Sequence, residues 1–246
     1  MIKQKTAAAA IIGNEILTGK IKDDNTFVLS TLLFYQGINL CKVEIIPDNV
    51  SEISNVVYRL SKTFDYVFTS GGIGPTHDDK TYKSIAKAFK LKLKYDNSII
   101  KKIAIFYKKN ITDITLNKVQ QKMLIFPYPC KIFFSKSLFL PLITVKNVYI
   151  LPGEPKLFQD ILYDIKHNFN GPKKRRELIY TQKSENEIAI LLEQFQLKYP
   201  DISIGSYPKI QSDKYKVMIS LESLNVKQIL EATINIKTAI NGFTNL

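Results

Sequence analysis

The chain has 246 residues, of which 45% are hydrophobic and 23% are charged. This composition is close to the globular average and excludes disordered and fibrous classes. Thirty-five Lys and Arg against 22 Asp and Glu give a net charge of +13, which would attract phosphorylated small molecules, nucleic acid or an anionic membrane. Scattered lysines without a recognised motif or interleaved aromatic residues do not favour nucleic acid among these partners.

Neither a membrane segment nor a secretion signal is indicated. Lys136 and Lys146 interrupt the most apolar stretch before it reaches the ~18 uncharged residues that span a bilayer. The apolar run at the N-terminus is broken at residues 13–15. Cys41 and Cys130 lack the spacing of a disulfide framework or a zinc site. We therefore expect a cytoplasmic protein that binds no membrane.

The first half of the chain alternates predicted strands with amphipathic helices, which is typical of a parallel sheet covered on both faces. Strands are predicted at 6–12, through Val43–Ile46, at 64–70 and at 147–152, with a hairpin at 131–145. Helices are predicted from Asp24 or Asn25, from Ser51, through Tyr82–Phe89, through Ile99–Phe106 and after Pro155. Gly37 is expected to end the first helix in a left-handed conformation.

A domain boundary is predicted at the segment GPKKRR, which begins at Gly171, because it is polar and rich in residues that end helices. The larger predicted domain spans 1–171 and the smaller spans 172–246. The elements after the boundary have the order β-α-β-β-α. The sequence therefore predicts an α/β domain followed by a small α+β domain.

The residues that suggest chemistry are concentrated in TSGGIGPTHDD, residues 69–79, between a predicted strand and a predicted helix. Gly71, Gly72 and Gly74 allow positive φ and close approach of a ligand, and exposed amides at the start of a helix favour a bound anion. Pro75 fixes the chain direction and Thr76 is a helix-capping residue type. This turn therefore predicts a phosphate-binding loop, with an ordinary turn as the alternative.

Two adjacent carboxylates, Asp78 and Asp79, follow the glycines. They can cap the next helix, but near a phosphate they would repel it unless a proton or a divalent cation lies between them. Their oxygen ligands suit Mg²⁺, Mn²⁺ or Co²⁺. We therefore predict that Asp78 and Asp79 bind a divalent metal.

Other predicted strand ends are expected at the same edge of the sheet, because ligands bind at the carboxyl ends of parallel strands. Polar or turn residues at these ends are Gly13, Asn14 and Glu15 after the first strand, Asp48 after the second, Ser70 on the third, and Pro152, Gly153 and Glu154 after the last. Each could be a connecting turn. Together they predict one pocket.

Three segments resemble motifs of the MoaB/Mog molybdopterin-binding family: IGNEILTGKIKDDN, TSGGIGPTHDDKT and ILPGEP. They are most similar to the branch of competence/damage-inducible protein A and to the front domain of eukaryotic FAD synthases. SENEIAILLEQF and ISIGSYP resemble the second domain of that branch. The resemblance implies a three-layer α/β/α fold with a mostly parallel sheet, holding a molybdopterin or nucleotide phosphate over the glycine turn.

The resemblance also implies chemistry at Asp48 and Asp79, which match the aspartates of adenylyl transfer in Mog-like members. In the competence-protein branch the domain is associated with metal-dependent hydrolysis of dinucleotide pyrophosphates such as ADP-ribose or FAD. The alternative is a module that binds a pterin or nucleotide without reacting it. That alternative arises because SKSLFLPLI places Leu138 and Leu142 where the branch has glycines.

Members of the family are commonly oligomers. We therefore expect a homo-oligomer, with an exposed apolar face at Phe133, Phe134 and Phe139 as the candidate interface.

Overall fold

The computed structural model describes residues 4–95, 98–209 and 214–244. The chain divides into two compact units, Met1–Gly171 and Pro172–Leu246. The strands of the larger unit are β1 Lys5–Ile12, β2 Ile38–Ile46, β3 Tyr66–Ser70, β4 Lys92–Tyr95, β5 Ile125–Tyr128, β6 Lys131–Ser135, β7 Leu138–Val145 and β8 Val148–Leu151. Its helices are α1 Asn14–Leu17, α2 Asn25–Tyr35, α3 Val50–Thr63, α4 Thr81–Ala88, α5 Ile99–Tyr107, α6 Lys118–Met123 and α7 Pro155–Ile165, with 3-10 turns at Ile111–Asp113 and Lys166–Asn168.

The central sheet has the strand order β2-β1-β3-β8-β7-β6. Strands β2, β1, β3 and β8 are parallel, whereas β7 and β6 form an antiparallel hairpin at the edge. Helices α2 and α7 contact each other, as do α3 and α4. Because consecutive crossovers in opposite directions place helices on opposite faces, these two pairs form the outer layers. The predicted α/β/α fold with a mostly parallel sheet is confirmed.

Strand β1 lies inside the sheet between β2 and β3, and its sequence suits that position. Ala7, Ala8, Ala9 and Ala10 have no exposed surface, so the strand is apolar on both faces rather than alternating. Larger side chains from neighbouring strands fill the core beside these alanines. They include Phe68 of β3, which stacks on Tyr149 of β8 with 5.5 Å between ring centroids. The core is therefore built around an interior strand with small side chains.

Several element boundaries differ from the predictions because side chains form hydrogen bonds that sequence spacing does not fix. Asn49, not Ser51, caps α3, and its side chain accepts from the amides of Ser51 and Glu52. Strand β3 begins at Tyr66, because Asp65 instead accepts from the amide of Thr6 at 2.8 Å.

The start of α2 shows the same effect. Its N-cap position is Asp24, as predicted, but the side chain that accepts from the Thr26 amide is that of Asp23, at 3.1 Å. At the other end, Gly37 has a positive φ of 73°, as predicted.

The predicted exposed face on the edge hairpin is wrong. Phe133, Phe134 and Phe139 are half-buried and pack against the core of the larger unit. The Phe134 ring stacks on Phe106 with 4.9 Å between centroids, and Phe139 stacks on Tyr107 at 5.3 Å. Both partners, Phe106 and Tyr107, belong to α5, which therefore covers the hairpin residues. Homo-oligomerisation stays a prediction without this surface.

The smaller unit contains β9 Arg175–Thr181, α8 Glu185–Lys198, β10 Ser203–Pro208, β11 Val217–Ser223 and α9 Val226–Ala239. Its antiparallel sheet has the order β10-β11-β9 and carries its own core around Ile179, Ile219 and Ile236. Ser184 and Glu187 form a reciprocal capping box at the start of α8. The predicted β-α-β-β-α order is confirmed. Among the described helices of both units, none combines the length and apolar character that a bilayer crossing requires.

Candidate functional site

A cavity of about 540 Å³ opens at the carboxyl ends of β1, β3 and β8. The chain reverses its direction across the sheet between β1 and β3, and such switch points are where ligands bind in open α/β sheets. The predicted site residues that line the cavity are Glu15, Asp48, Ser70, Gly71, Gly72, Gly74, Thr76, Asp78, Asp79, Pro152, Gly153 and Glu154. Four strand ends therefore share one cavity.

Three predicted site residues, Gly13, Asn14 and Pro75, do not line this cavity. Pro75 is exposed. The Gly13 amide donates to the Ile46 carbonyl at 3.1 Å, and the Asn14 amide donates to an Asp48 carboxylate oxygen at 2.9 Å. Gly13 and Asn14 thus tie the ends of β1 and β2 together and position Asp48.

Glycine is required in the turn because strand ends approach each other closely there. Gly71 has a φ of +102°, and a Cβ on it would lie 2.3 Å from the Ile12 carbonyl oxygen. Gly72 has a φ of +66°, and its Cβ would lie 2.4 Å from the Thr81 hydroxyl oxygen. A Cβ on Gly153 would lie 3.2 Å from the Gly71 Cα. The ends of β1, β3 and β8 therefore form a tight floor of main chain.

Asp79 holds the turn together instead of capping the next helix. Its Oδ1 accepts from the Gly74 amide at 2.7 Å, and its Oδ2 accepts from the Thr76 amide at 2.7 Å and from the Thr76 hydroxyl at 2.5 Å. The N-cap of α4 is Lys80, and no side chain caps it. The prediction that Thr76, Asp78 and Asp79 cap this helix is wrong, because the turn folds back and the Asp79 carboxylate meets its own loop first.

Glu154 occupies the amides at the start of α7 in a similar way. Its carboxylate accepts from the amides of Lys156 at 3.1 Å and Leu157 at 2.6 Å. Amides of the glycine turn and at the start of α7 thus already hold a protein carboxylate. Within the part of the chain that the structure describes, the amides of Gly72 and Ile73 have no acceptor, and both residues line the cavity. These two amides remain available to a ligand.

Asp48 and Asp78 keep oxygens that a ligand or cation can use. The Oδ2 of Asp48 accepts from Asn14, whereas its Oδ1 accepts from no described residue. The Thr76 hydroxyl lies 2.5 Å from the Asp78 Oδ1, and this contact lowers the pKa of Asp78. One hydroxyl proton cannot be donated to Asp78 and Asp79 at once. The carboxylate that Thr76 leaves free is then open to another donor.

Acidic side chains dominate the cavity although the chain carries a net charge of +13. The acidic lining residues are Glu15, Asp23, Asp24, Asp48, Asp78, Asp79 and Glu154, and Lys22 is the basic one among the described lining residues. Lys22 is itself paired with Asp24 at 2.8 Å. The cavity therefore has an excess of negative charge.

The donor set fits a cation that a substrate helps to hold. Mg²⁺ prefers oxygen ligands and is commonly bound by one or two carboxylates together with substrate phosphates. Across residues 4–95, 98–209 and 214–244, no group of three or more His, Cys, Asp or Glu side chains could hold a metal ion alone. Asp48 and Asp78 thus suit a shared cation rather than a closed metal centre, whereas both oxygens of Asp79 already accept hydrogen bonds from the turn.

Sequence reasoning missed the role of Asn25, which it treated as a helix cap. The Asn25 side chain is 5% exposed, and its Nδ2 donates to the Ser70 hydroxyl and to the Gly153 carbonyl, each at 2.8 Å. Its Oδ1 is buried without a partner in the described structure. Asn25 therefore links the ends of β3 and β8 beneath the cavity. Asn25 is the last residue of IGNEILTGKIKDDN, the first segment that resembles the family, and this position is the signal by which the sequence could have indicated its role.

The fold and the cavity together define a three-layer α/β domain with a nucleotide- or pterin-related function. Residues 8–169 match the family described as a probable molybdopterin binding domain. Residues 175–244 match the family described as the FAD synthase middle domain. The chain belongs to the molybdopterin-binding domain family, in a form that carries this second domain.

Individual proteins show the same likeness. A probable FAD synthase of Caenorhabditis elegans is 31% identical over 91% of this chain, which spans 47% of that protein. A protein of Archaeoglobus fulgidus is 31% identical over 80% of this chain and 83% of its own length. The crystal structure of the protein CinA from Thermoplasma acidophilum, of unknown function, superposes with a TM-score of 0.57 and 28% identity, covering 67% of this chain and 98% of that one. The chain thus spans about half of the FAD synthase and most of the archaeal proteins.

Proposed function

We propose that the larger unit is a divalent-metal-dependent hydrolase of nucleotide pyrophosphates of the ADP-ribose or FAD type. The observation that carries the proposal is the concentration of seven acidic side chains in one cavity of a basic chain. A pyrophosphate entering this cavity would be repelled unless a cation accompanied it. The volume of about 540 Å³ lies within the usual range of small-molecule sites.

The residues divide into those that position and those that react. The Gly72 and Ile73 amides face the phosphates, and Asp79 keeps the turn in the shape that presents them. Asp48, oriented by the Asn14 amide, uses its free oxygen to hold the cation or to accept a proton from the attacking water. When bound, the cation would neutralise negative charge on the pyrophosphate. Asp78 is the second carboxylate toward that cation.

The comparisons support a dinucleotide as the ligand class. Residues 175–244 match the middle domain of FAD synthases, and the Caenorhabditis elegans relative is a probable FAD synthase. FAD and ADP-ribose both contain an adenosine diphosphate moiety with a pyrophosphate bond. This shared chemistry suits a cavity that combines acidic side chains with main-chain amides.

The test is release of AMP from ADP-ribose or FAD in the presence of Mg²⁺, Mn²⁺ or Co²⁺. The substitution Asp48→Asn is expected to lower kcat by about 100-fold or more, because it removes a general base or a cation ligand. Asp113→Asn is the matched control, since Asp113 is exposed and does not line the cavity, and it should keep full activity. Absence of AMP release with all three metals would refute the hydrolase.

A binding module for a molybdopterin or nucleotide is the second candidate. It is favoured by the apolar wall that Met123, Leu138 and Leu157 add to the cavity, and by the carboxylates of Asp79 and Glu154 that already occupy loop and helix amides. Leu142 does not contribute, because it is 1% exposed and lies in the core. Titration calorimetry followed by recovery of intact ligand would support this function, and recovery of AMP would exclude it.

A further inference from the structure

A second cavity, of about 490 Å³, lies between α3, the end of α4 and the turn that joins β7 to β8. Its defining residues are Lys62, Lys87, Lys90, Lys146, Tyr58 and Phe89, and we refer to it as the basic cavity. The cavity lined by seven acidic residues, described above, is called the acidic cavity from here on. Lys146 precedes β8, whereas the acidic cavity lies beyond the other end of that strand. The basic cavity is therefore at the opposite edge of the sheet and is a separate site.

The positive charge of the basic cavity is not compensated. No acidic residue lines it, and none of its four lysines forms an ion pair with a carboxylate of the described residues. Other lysines of the same unit do so, including Lys5 with Asp65 at 3.4 Å and Lys156 with Asp160 at 2.6 Å. Four like charges around one concavity repel each other unless an anion neutralises them.

Aromatic rings form part of the wall and hold two of the ammonium groups. The rings of Tyr58 and Phe89 lie 6.2 Å apart. The Lys62 Nζ is 5.6 Å from the Tyr58 centroid, and the Lys146 Nζ is 4.5 Å from the Phe89 centroid. Cation–π contacts at such distances favour these positions of the ammonium groups. The cations are thus partly oriented before a ligand arrives.

The backbone gives a second, independent indication that the lysines of the basic cavity serve a ligand. Lys90 and Lys146 both have a φ of +54°, in the left-handed region. A residue with a Cβ is strained there, and glycine or asparagine would be tolerated better. Both positions nevertheless carry lysines that line the same cavity.

We propose that the basic cavity binds a condensed phosphate chain, either inorganic or as part of a nucleotide. Four ammonium groups match the three to four negative charges of a di- or triphosphate. A concave site of this volume fits a compact anion, whereas an extended nucleic acid would need a charged strip.

The experiment uses the full chain and inorganic tripolyphosphate, with ATP as a second ligand, in titration calorimetry without divalent metal at low ionic strength. The double substitution Lys62→Gln with Lys146→Gln is expected to weaken tripolyphosphate binding about tenfold. The control, Lys101→Gln with Lys131→Gln, removes the same charge from exposed lysines outside the basic cavity and should leave affinity unchanged. Because the titration contains no divalent metal, which the proposed hydrolase requires, failure of this binding and failure of the hydrolase can be told apart.

The two ligands identify the source of the phosphate. Equal affinities for tripolyphosphate and ATP would assign the site to the phosphate chain alone, and tighter binding of ATP would assign it to a nucleotide. The proposal fails if wild type binds neither ligand, or if the control pair weakens binding as much as the double substitution. It also fails if the double substitution weakens retention of a single-stranded RNA oligonucleotide and leaves tripolyphosphate binding intact.

Discussion

Gly71 combines a left-handed backbone with a lack of space for any side chain. An added Cβ would lie 2.3 Å from the Ile12 carbonyl oxygen, a main-chain atom that cannot move without shifting β1. We expect Gly71→Ala to lower the free energy of unfolding by roughly 2 to 5 kcal/mol, from backbone strain and overpacking together. Urea unfolding followed by circular dichroism measures this loss.

Gly19 provides a matched control for that substitution. It has a similar positive φ of +71°, but no atom lies within 4 Å of an added Cβ. Gly19→Ala should therefore cost only the backbone strain, about 1 kcal/mol. If both variants lose the same free energy of unfolding, then the close approach of the strand ends is not the reason that position 71 needs glycine.

Asn25 leads to a second prediction at the residue scale. Its Nδ2 donates to the Gly153 carbonyl at 2.8 Å, so Asn25→Asp would place a carboxylate oxygen against a carbonyl oxygen. We expect a loss of about 2 to 4 kcal/mol of unfolding free energy, because a buried acceptor then faces another acceptor. The control is Asn110→Asp, which adds the same charge at an exposed position next to the 3-10 turn Ile111–Asp113. A loss as large in the control would attribute the effect to charge alone.

Individual residues also show the limit of sequence reasoning. Glycine patterns and polar residues after apolar strands are local signals, and they identified twelve residues that line one cavity. The partner of each side chain is not local. Asp79 was expected to cap a helix and braces the turn instead, while Asn25 joins Ser70 and Gly153, which are distant in sequence. Such contacts depend on how the strands are ordered.

At the scale of elements, periodic apolar patterns predicted the strands and helices of the central layers, because burial imposes that periodicity. Strands β4 and β5 escaped prediction. The four residues of β4 alternate basic and apolar side chains, but all four are exposed and the run is short, so it does not indicate a buried face. Strand β5 contains Pro127, which argues against a strand. These two strands pair only with each other, and that pairing is visible only in the folded chain.

The contact between the start of β1 and the approach to β3 predicts a dependence of stability on pH. Asp65 accepts from the Thr6 amide at 2.8 Å and from its hydroxyl at 3.0 Å, and the Thr6 amide lowers the pKa of Asp65 in the folded protein. A lowered pKa adds stability above the unfolded value, near 3.9, and that stability is lost as the pH falls through the folded pKa.

Asp65→Ala should therefore lower the free energy of unfolding by about 1 to 2 kcal/mol at pH 7. The difference from wild type is expected to shrink below about pH 4, because protonation weakens the same hydrogen bonds in wild type. Denaturant titrations of both proteins at pH 7, 5, 4 and 3 measure this difference in the free energy of unfolding. A constant difference over this range would show that the charge of Asp65 does not contribute.

At the scale of the whole molecule, the net charge of +13 hides two opposite regions. The acidic cavity lies at the carboxyl ends of the parallel strands, and the basic cavity lies at the opposite edge of the same sheet. Composition alone suggests a diffuse basic surface, because the net charge does not tell where in the fold each charged residue lies. Only the fold separates the charges, and the separation determines which ligand each cavity can accept.

This separation predicts that metal and nucleotide stabilise the protein together. A ligand at 100 times its dissociation constant adds about 2.7 kcal/mol, which raises Tm by roughly 5 to 10 °C for a unit of this size. The test uses the Lys62→Gln with Lys146→Gln background, so that the basic cavity does not contribute. In that background we expect ADP-ribose with Mg²⁺ to produce such a shift, and ADP-ribose with a chelator to produce little, because the acidic cavity then repels the pyrophosphate. Adding Asp48→Asn and Asp78→Asn should shrink the difference between the two conditions, since the repelling charge is reduced. An equal shift with and without chelator in the lysine double variant would mean that the carboxylates of the acidic cavity do not govern binding of the phosphates.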